Sequence, residues 1–138
     1  MNVFVNIDGG SRGNPGPAGA GVVIRAADDG TVLQQAGVFL GVATNNVAEY
    51  RGLIEGLRRA EALGAKRVEV ASDSELLVRQ MNGQYRVKNT GLKPLFEEAN
   101  DLAGRFERFA IRHVPREENT LADEMANRAM NLKRTVEE

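Results

Sequence analysis

Val3, Val5 and Ile7 alternate with Phe4, Asn6 and Asp8. This period of two predicts a strand over the first eight residues, with Asp8 near its end. The segment that follows, GGSRGNPGPAG, is so rich in glycine and proline that it reads as a turn. Runs over Ala20–Arg25 and Thr31–Leu40, separated by Asp28, Asp29 and Gly30, complete an antiparallel meander of three strands. From Asn45 to Leu63 the period changes, because Leu53, Leu57 and Ala60 fall at helical spacing and Gly64 stands where a C-cap glycine belongs. Arg67–Ala71 is a short β-branched strand, Ser74–Met81 a second helix stopped by Asn82 and Gly83, and Leu92–Arg105 a third helix. Phe106–Val114 reads as a strand and Pro115–Asn119 as a loop. Leu121–Leu132 is a last helix with Leu121, Met125 and Ala129 along one side. The order βββαβααβα needs crossover helices between parallel strands, so the pattern predicts an α/β fold with a mixed sheet.

Composition narrows this picture. A chain of 138 residues with 42% hydrophobic content can bury one sizeable core, and a single domain over residues 1–138 is expected. The absence of cysteine rules out disulfides and thiolate metal sites, leaving oxygen donors and the single histidine, His113, for any metal. MNVFVNID lacks a basic segment followed by a long apolar run, and no stretch approaches the ~20 apolar residues of a membrane span. A cytoplasmic protein with no membrane partner and no obligate protein partner, working as a monomer, is expected. The formal net charge of −1 removes the simplest argument for nucleic acid, so local charge has to decide.

Sites on open α/β sheets form beyond the carboxyl ends of the parallel strands. Asp73 directly follows the strand 67–71, and Asp8 lies near the end of the first strand. Glu49 falls in the first turn of the first long helix and Asp123 in the first turn of the last. Glu49 shares a stripe with Leu53, Leu57 and Ala60, and an acid on an inward face needs a partner or a metal. Taken singly, helical acids also fit capping patterns, as in Asn46 to Glu49, Ser72 to Glu75 and Thr120 to Asp123. Asp8 is on a strand and escapes that explanation, so the four acids together predict a metal centre. Four oxygen donors without a His-x-x-x-His pair suit Mg²⁺ or Mn²⁺ better than zinc. Two such ions about 3.5–4 Å apart would serve an in-line phosphoryl displacement, which points to phosphodiester hydrolysis.

The segments DGGSRGNPGPAG, TNNVAEY, VASDSELLVRQ and HVPREENTLADEMAN, in that order from Val3 to about Met130, together resemble type 1 ribonuclease H. The resemblance implies a ribonuclease H-like fold, with a mixed five-stranded sheet whose first three strands are antiparallel, flanked by helices. It implies hydrolysis of the RNA strand of an RNA/DNA hybrid with two Mg²⁺ ions (Mn²⁺ also serving), leaving 5′-phosphate and 3′-hydroxyl ends. Carried over position by position, the family's metal ligands fall on Asp8, Glu49, Asp73 and Asp123. Its mobile-loop histidine, ten residues before the last aspartate, falls on His113, whose implied role is proton transfer or product release. Without the resemblance, a lone histidine at a strand end reads as a structural or surface residue.

Telling RNA from DNA requires sensing a 2′-hydroxyl, and in this family the Gly9–Gly16 turn lies along the RNA, with Asn14 the implied contact. Asn45 and Asn46 match the paired asparagines that contact the hybrid. By itself the turn is a plain hairpin, and either asparagine could cap the helix. Arg79, Arg86, Lys88 and Lys93 lie between Leu76 and Phe96 with no acid among them, where the family holds the DNA strand's phosphates. Tyr85, in the same stretch, either stacks or packs. Many bacterial members insert a basic helix and loop here; only NGQYRVKNTG stands in their place. The N-terminal hybrid-binding domain of many eukaryotic members is not expected either. The resemblance therefore implies a weaker grip on hybrid with cutting chemistry retained.

Two alternatives remain at this point. Another nuclease of the same superfold, such as a junction resolvase or integrase core, would share the acids; the asparagine pair and GNPGPAG argue against it, though fold alone would not. A non-catalytic RNA- or hybrid-binding module would have to keep four mutually repelling acids without use.

Overall fold

Both faces of the first strand are buried, Val3, Val5 and Ile7 on one side and Asn6 and Asp8 on the other. The sheet is therefore a middle layer with helices on each side. In the computed structural model, which describes residues 1–138, the elements run β1 (Asn2–Ser11), β2 (Gly16–Ala26), β3 (Val32–Ala43), α1 (Asn45–Ala62), β4 (Arg67–Ser72) and α2 (Glu75–Met81). Then come α3 (Lys93–Ala103), β5 (Arg108–His113), a 3₁₀ turn (Arg116–Glu118), α4 (Thr120–Leu132) and β6 (Val136–Glu137). The strands lie in the order β5-β4-β1-β2-β3-β6. The meander β1-β2-β3 is antiparallel, while β4 runs parallel to β1 and β5 parallel to β4. The mixed α/β fold is as expected from the pattern.

Leu53, Leu57 and Ala60 of α1 are fully buried against Val5, Ile7 and Val22 of the sheet, in a core cluster of 20 residues. Leu63 closes this helix, and Gly64 follows it at φ 82°, the left-handed conformation that suits a residue without Cβ. The opposite face of the sheet is built differently. A Cβ on Gly21 would lie 1.8 Å from the carbonyl oxygen of Ala122, and one on Gly37 2.1 Å from that of Met125, so α4 rests almost backbone to backbone on β2 and β3.

That close approach corrects the reading of GGSRGNPGPAG as a turn. β1 continues through Ser11 and β2 begins at Gly16, leaving only Arg12–Pro15 as the connection. Gly9 and Gly19 serve helix contact, a Cβ on Gly19 falling 2.8 Å from the Ala126 carbonyl oxygen, while Gly13, at φ 88°, and Gly16, packed on the Arg12 carbonyl, serve the bend. The sheet also has six strands where five were expected. Lys133 turns the chain back at φ 51°, and Val136–Glu137 then pairs with Ala36 and Gly37, Val136 tucking over the bare Gly37. A two-residue strand is too short to leave an alternation in the sequence. Residues 82–92 join α2 to α3 without a further helix.

Candidate metal centre

Strand register builds the site first. Ile7 pairs with Ser72 and Ser72 with His113, so the parallel pairing of β1, β4 and β5 ends in one row. One residue further on, Asp8, still within β1, and Asp73, just past β4, stand side by side. Glu49 reaches them because Gly9 admits α1: a Cβ on Gly9 would stand 2.3 Å from the carbonyl carbon of Ala48. Gly52 repeats the device one turn on, its absent Cβ 2.9 Å from the Asp8 carbonyl oxygen. One carboxylate oxygen each from Asp8, Glu49 and Asp73 lies within 4.8 Å of the others.

Capping does not account for these acids. Thr44 caps α1, its hydroxyl accepting from the Val47 N–H at 3.2 Å, and Glu49 falls in the second turn rather than in the first, where it was expected. Ser74, not Ser72, caps α2, its Oγ accepting from the Leu77 N–H at 3.3 Å. Asp123 does sit in the first turn of α4, but no side chain caps that helix. Asp123 lines the same cleft as the three clustered acids while standing outside their 4.8 Å group, and the Asn127 amide donates to its Oδ2 at 3.3 Å.

Burial, and then the charges of Asp73 and Asp123, push the Asp8 carboxyl up to about 8. Burial, followed by the charges of Asp8 and Asp73, pushes Glu49 up to about 9, with the Gly9 N–H and Arg116 pulling the other way. Glu49 Oε2 is shut away from solvent with no hydrogen-bond partner. Crowded carboxylates with an orphaned oxygen, none of them held in an ion pair, match a divalent ion bound by hard oxygen ligands. The donor set fits the metal the sequence implied.

The surrounding cleft, about 730 Å³, opens to solvent and is also lined by His113, Asn45, Arg12 and Arg116. His113 stands on its rim, Nε2 3.3 Å from the Asp73 carbonyl oxygen. Asn45 does not cap its helix; its Oδ1 accepts from the Ser11 N–H at 2.8 Å, and its own N–H donates to Asn14 Oδ1 at 3.0 Å. The two asparagines thus clip the β1–β2 turn to the start of α1. Asn46 is exposed in the first turn. Arg79, Arg86 and Lys88 lie outside the cleft. Arg79 is less free than the acid-free stretch suggested, because Glu75, just upstream, accepts from its Nε at 2.8 Å. Its guanidinium also covers the Tyr85 ring at 5.2 Å, which gives that tyrosine a stacking role. Arg86 and Lys93 flank Tyr85 and Phe96 in a separate groove, and Lys88 is exposed nearby.

Sequence reasoning missed Asn119, which is 1% exposed immediately before α4. Its Nδ2 donates to the Ile7 carbonyl at 2.8 Å and its Oδ1 accepts from Asn6 Nδ2 at 3.0 Å, while Arg25 donates to Asn6 Oδ1 at 3.0 Å. This buried network ties the residue before Asp8 to the helix carrying Asp123. The signal was Asn6, a polar residue on a strand face shared with Asp8, which had to find a buried partner.

A family model described as "Reverse transcriptase-like" matches residues 6–129. The chain is 52% identical over 131 residues to the bifunctional protein Rv2228c of Mycobacterium tuberculosis, covering 95% of this chain and 36% of that protein. It therefore spans about a third of the length of that relative. Ribonuclease HI of Halobacterium salinarum is 39% identical over 129 residues, covering 94% of this chain and 64% of that one. The solved structure of LC11-RNase H1 in complex with RNA/DNA hybrid superposes at a TM-score of 0.90 with 42% identity, covering 95% of this chain and 98% of that one. With its acids gathered at the same sheet end that the motifs implied, and with this likeness along nearly its whole length, the chain belongs to the ribonuclease H family.

Proposed function

We propose that the chain is an endonuclease hydrolysing the RNA strand of RNA/DNA hybrids, releasing 5′-phosphate and 3′-hydroxyl ends, with Mg²⁺ as the working metal and Mn²⁺ as a substitute. The observation that carries this reading is the group of Asp8, Glu49 and Asp73 within 4.8 Å, with Glu49 Oε2 orphaned, lining an open cleft. A relative at 42% identity holds RNA/DNA hybrid, which supports the choice of substrate.

Asp8, Glu49 and Asp73 would hold the metal, with Asp123 completing the set beside Asp8. Two ions held there would supply a water activated for attack on phosphorus and positive charge for the leaving 3′-oxygen. The chain's own residues do the rest. The Asn14–Asn45 clip fixes the turn beside which the RNA strand lies, where backbone and amide groups can read the 2′-hydroxyl. For His113, exposed on the rim with Nε2 3.3 Å from the Asp73 carbonyl oxygen, the proposed role is to shuttle a proton or help release product. Arg86 and Lys88 hold phosphates of the DNA strand, and the short 82–92 connection gives them little help.

The test incubates end-labelled RNA/DNA hybrid, double-stranded RNA, single-stranded RNA and DNA with Mg²⁺ or Mn²⁺, using wild type, Asp8→Asn and Asp73→Asn. Hybrid-selective cleavage that both variants lose is expected. Absence of hybrid cleavage with either metal, or normal cleavage by the variants, overturns the reading.

A further inference from the structure

We infer that Arg12 grips a phosphate of the RNA strand next to the scissile one, with Asn127 holding it in register with Asp123; this rests on the hybrid-cutting reading above. The argument begins with charge. Four carboxylates, Asp8, Glu49, Asp73 and Asp123, line the cleft, and a polyanionic strand approaching them needs fixed cations nearby. The arginines of the cleft are Arg12 and Arg116, and neither takes part in any of the ion pairs of the protein. Arg116 is spoken for electrostatically, since it faces Glu49 closely enough to oppose the rise in that residue's pKa. Arg12 has no carboxylate of its own.

Its side chain is nevertheless aimed. An Arg12 guanidinium nitrogen lies 3.5 Å from Asn127 Oδ1, and the same amide donates from Nδ2 to Asp123 at 3.3 Å. The asparagine is thus polarised between a cation and an acid, and sets their spacing across one turn of α4. The backbone beneath is fixed as well. The Arg12 N–H donates to the Pro17 carbonyl at 2.8 Å, the Ser11 hydroxyl donates to the Gly13 carbonyl, and Asn45 clips the turn on both sides. An exposed arginine on a rigid turn, one amide away from a site acid and without a counterion, presents a planar fork suited to two phosphate oxygens. Because Asp123 belongs to the cutting site, the phosphate within reach of Arg12 belongs to the strand being cut.

The experiment measures KM, kcat and the salt dependence of hybrid cleavage for wild type, Arg12→Ala, Arg12→Lys and Arg108→Ala. Arg108 begins β5 at the opposite end of the sheet. A six-residue strand puts it ~20 Å away, beyond a Debye length of ~8 Å, so it controls for the loss of net charge alone. Arg12→Ala is expected to raise KM about ten-fold, leave kcat within about three-fold, and lower the slope of log KM against log salt by about one. Arg12→Lys should keep the slope and recover part of the affinity. Arg108→Ala should keep both KM and slope. If wild type cuts hybrid while Arg12→Ala keeps its KM and slope, or changes only kcat, the assignment of Arg12 is wrong and the function stands. If wild type cuts no hybrid, the function and this assignment fall together.

Discussion

Replacing Asp8 by asparagine should make the metal-free protein more stable near neutral pH, and less so as the pH falls. Asp8 is 8% exposed and its carboxyl is raised from 3.8 to about 8, chiefly by burial and then by the charges of Asp73 and Asp123. The folded state therefore keeps a proton that the unfolded chain releases above pH 4, and stability falls as pH rises through the window from about 4 to about 8. At pH 7 the unfolded chain is favoured by 3.2 units from its own pKa, or about 4 kcal/mol at 1.4 kcal/mol per unit. Asparagine carries no such penalty. Because Glu49 relaxes when Asp8 loses its charge, a realised gain of about 1–4 kcal/mol is expected. For a chain of this size that is roughly 3–12 °C in Tm. The assay is thermal unfolding of wild type and Asp8→Asn in chelator at pH 4.5 and pH 8, repeated with Mg²⁺. The gain should be large at pH 8, small at pH 4.5, and offset when the metal binds wild type more tightly than the variant. A variant no more stable than wild type at pH 8, or equally stabilised at both pH values, would refute the electrostatic account.

Other perturbations test the scaffold around the acids. Gly9→Ala drives a Cβ into the Ala48 carbonyl; it should lift Glu49 from the cluster, cost about 1–3 kcal/mol in urea unfolding, and reduce Mg²⁺ affinity measured by calorimetry at least ten-fold. Asn119→Ala strands the Ile7 carbonyl and the Asn6 amide in a buried site, so a loss of about 2–5 kcal/mol is expected in the same unfolding assay, together with reduced kcat as Asp123 shifts. Grafting a basic helix and loop into residues 82–92 should tighten hybrid binding at matched salt in fluorescence anisotropy without raising kcat. Equal affinity before and after grafting would show that the short connection does not limit the grip.

Elements with internal periodicity were legible in the sequence, and those defined by contact across the fold were not. Alternation located β1, and the spacing of Leu53, Leu57 and Ala60 located α1, because burial imposes its period on the residues that face the core. The strand ends around Gly9–Gly19 were misjudged because glycine reads as a breaker. Here it marks where a helix backbone meets the sheet, information held by α1 and α4. The acids could be listed, and Asp8 could be exempted from capping by its strand. Their distances could not be read, and the structure separates Asp123 from the tighter group of three. Asn119 was hidden in a segment read as loop, its worth set by Asn6, 113 positions away. Arg12 was overlooked for the same reason, since its role depends on Asn127 and not on its neighbours in the turn.

The four acids are drawn from β1, α1, the residue just past β4 and α4, so the first and the last of them are separated by most of the chain. No contiguous fragment short of Asp8–Asp123 contains the whole centre, and none lacking α4 covers the glycines of β2 and β3. On the proposed reading, a partly synthesised or clipped polypeptide would be silent as a nuclease. The ability to sever a phosphodiester would then arise only when the last helix docks, and ion binding would report that these elements have come together.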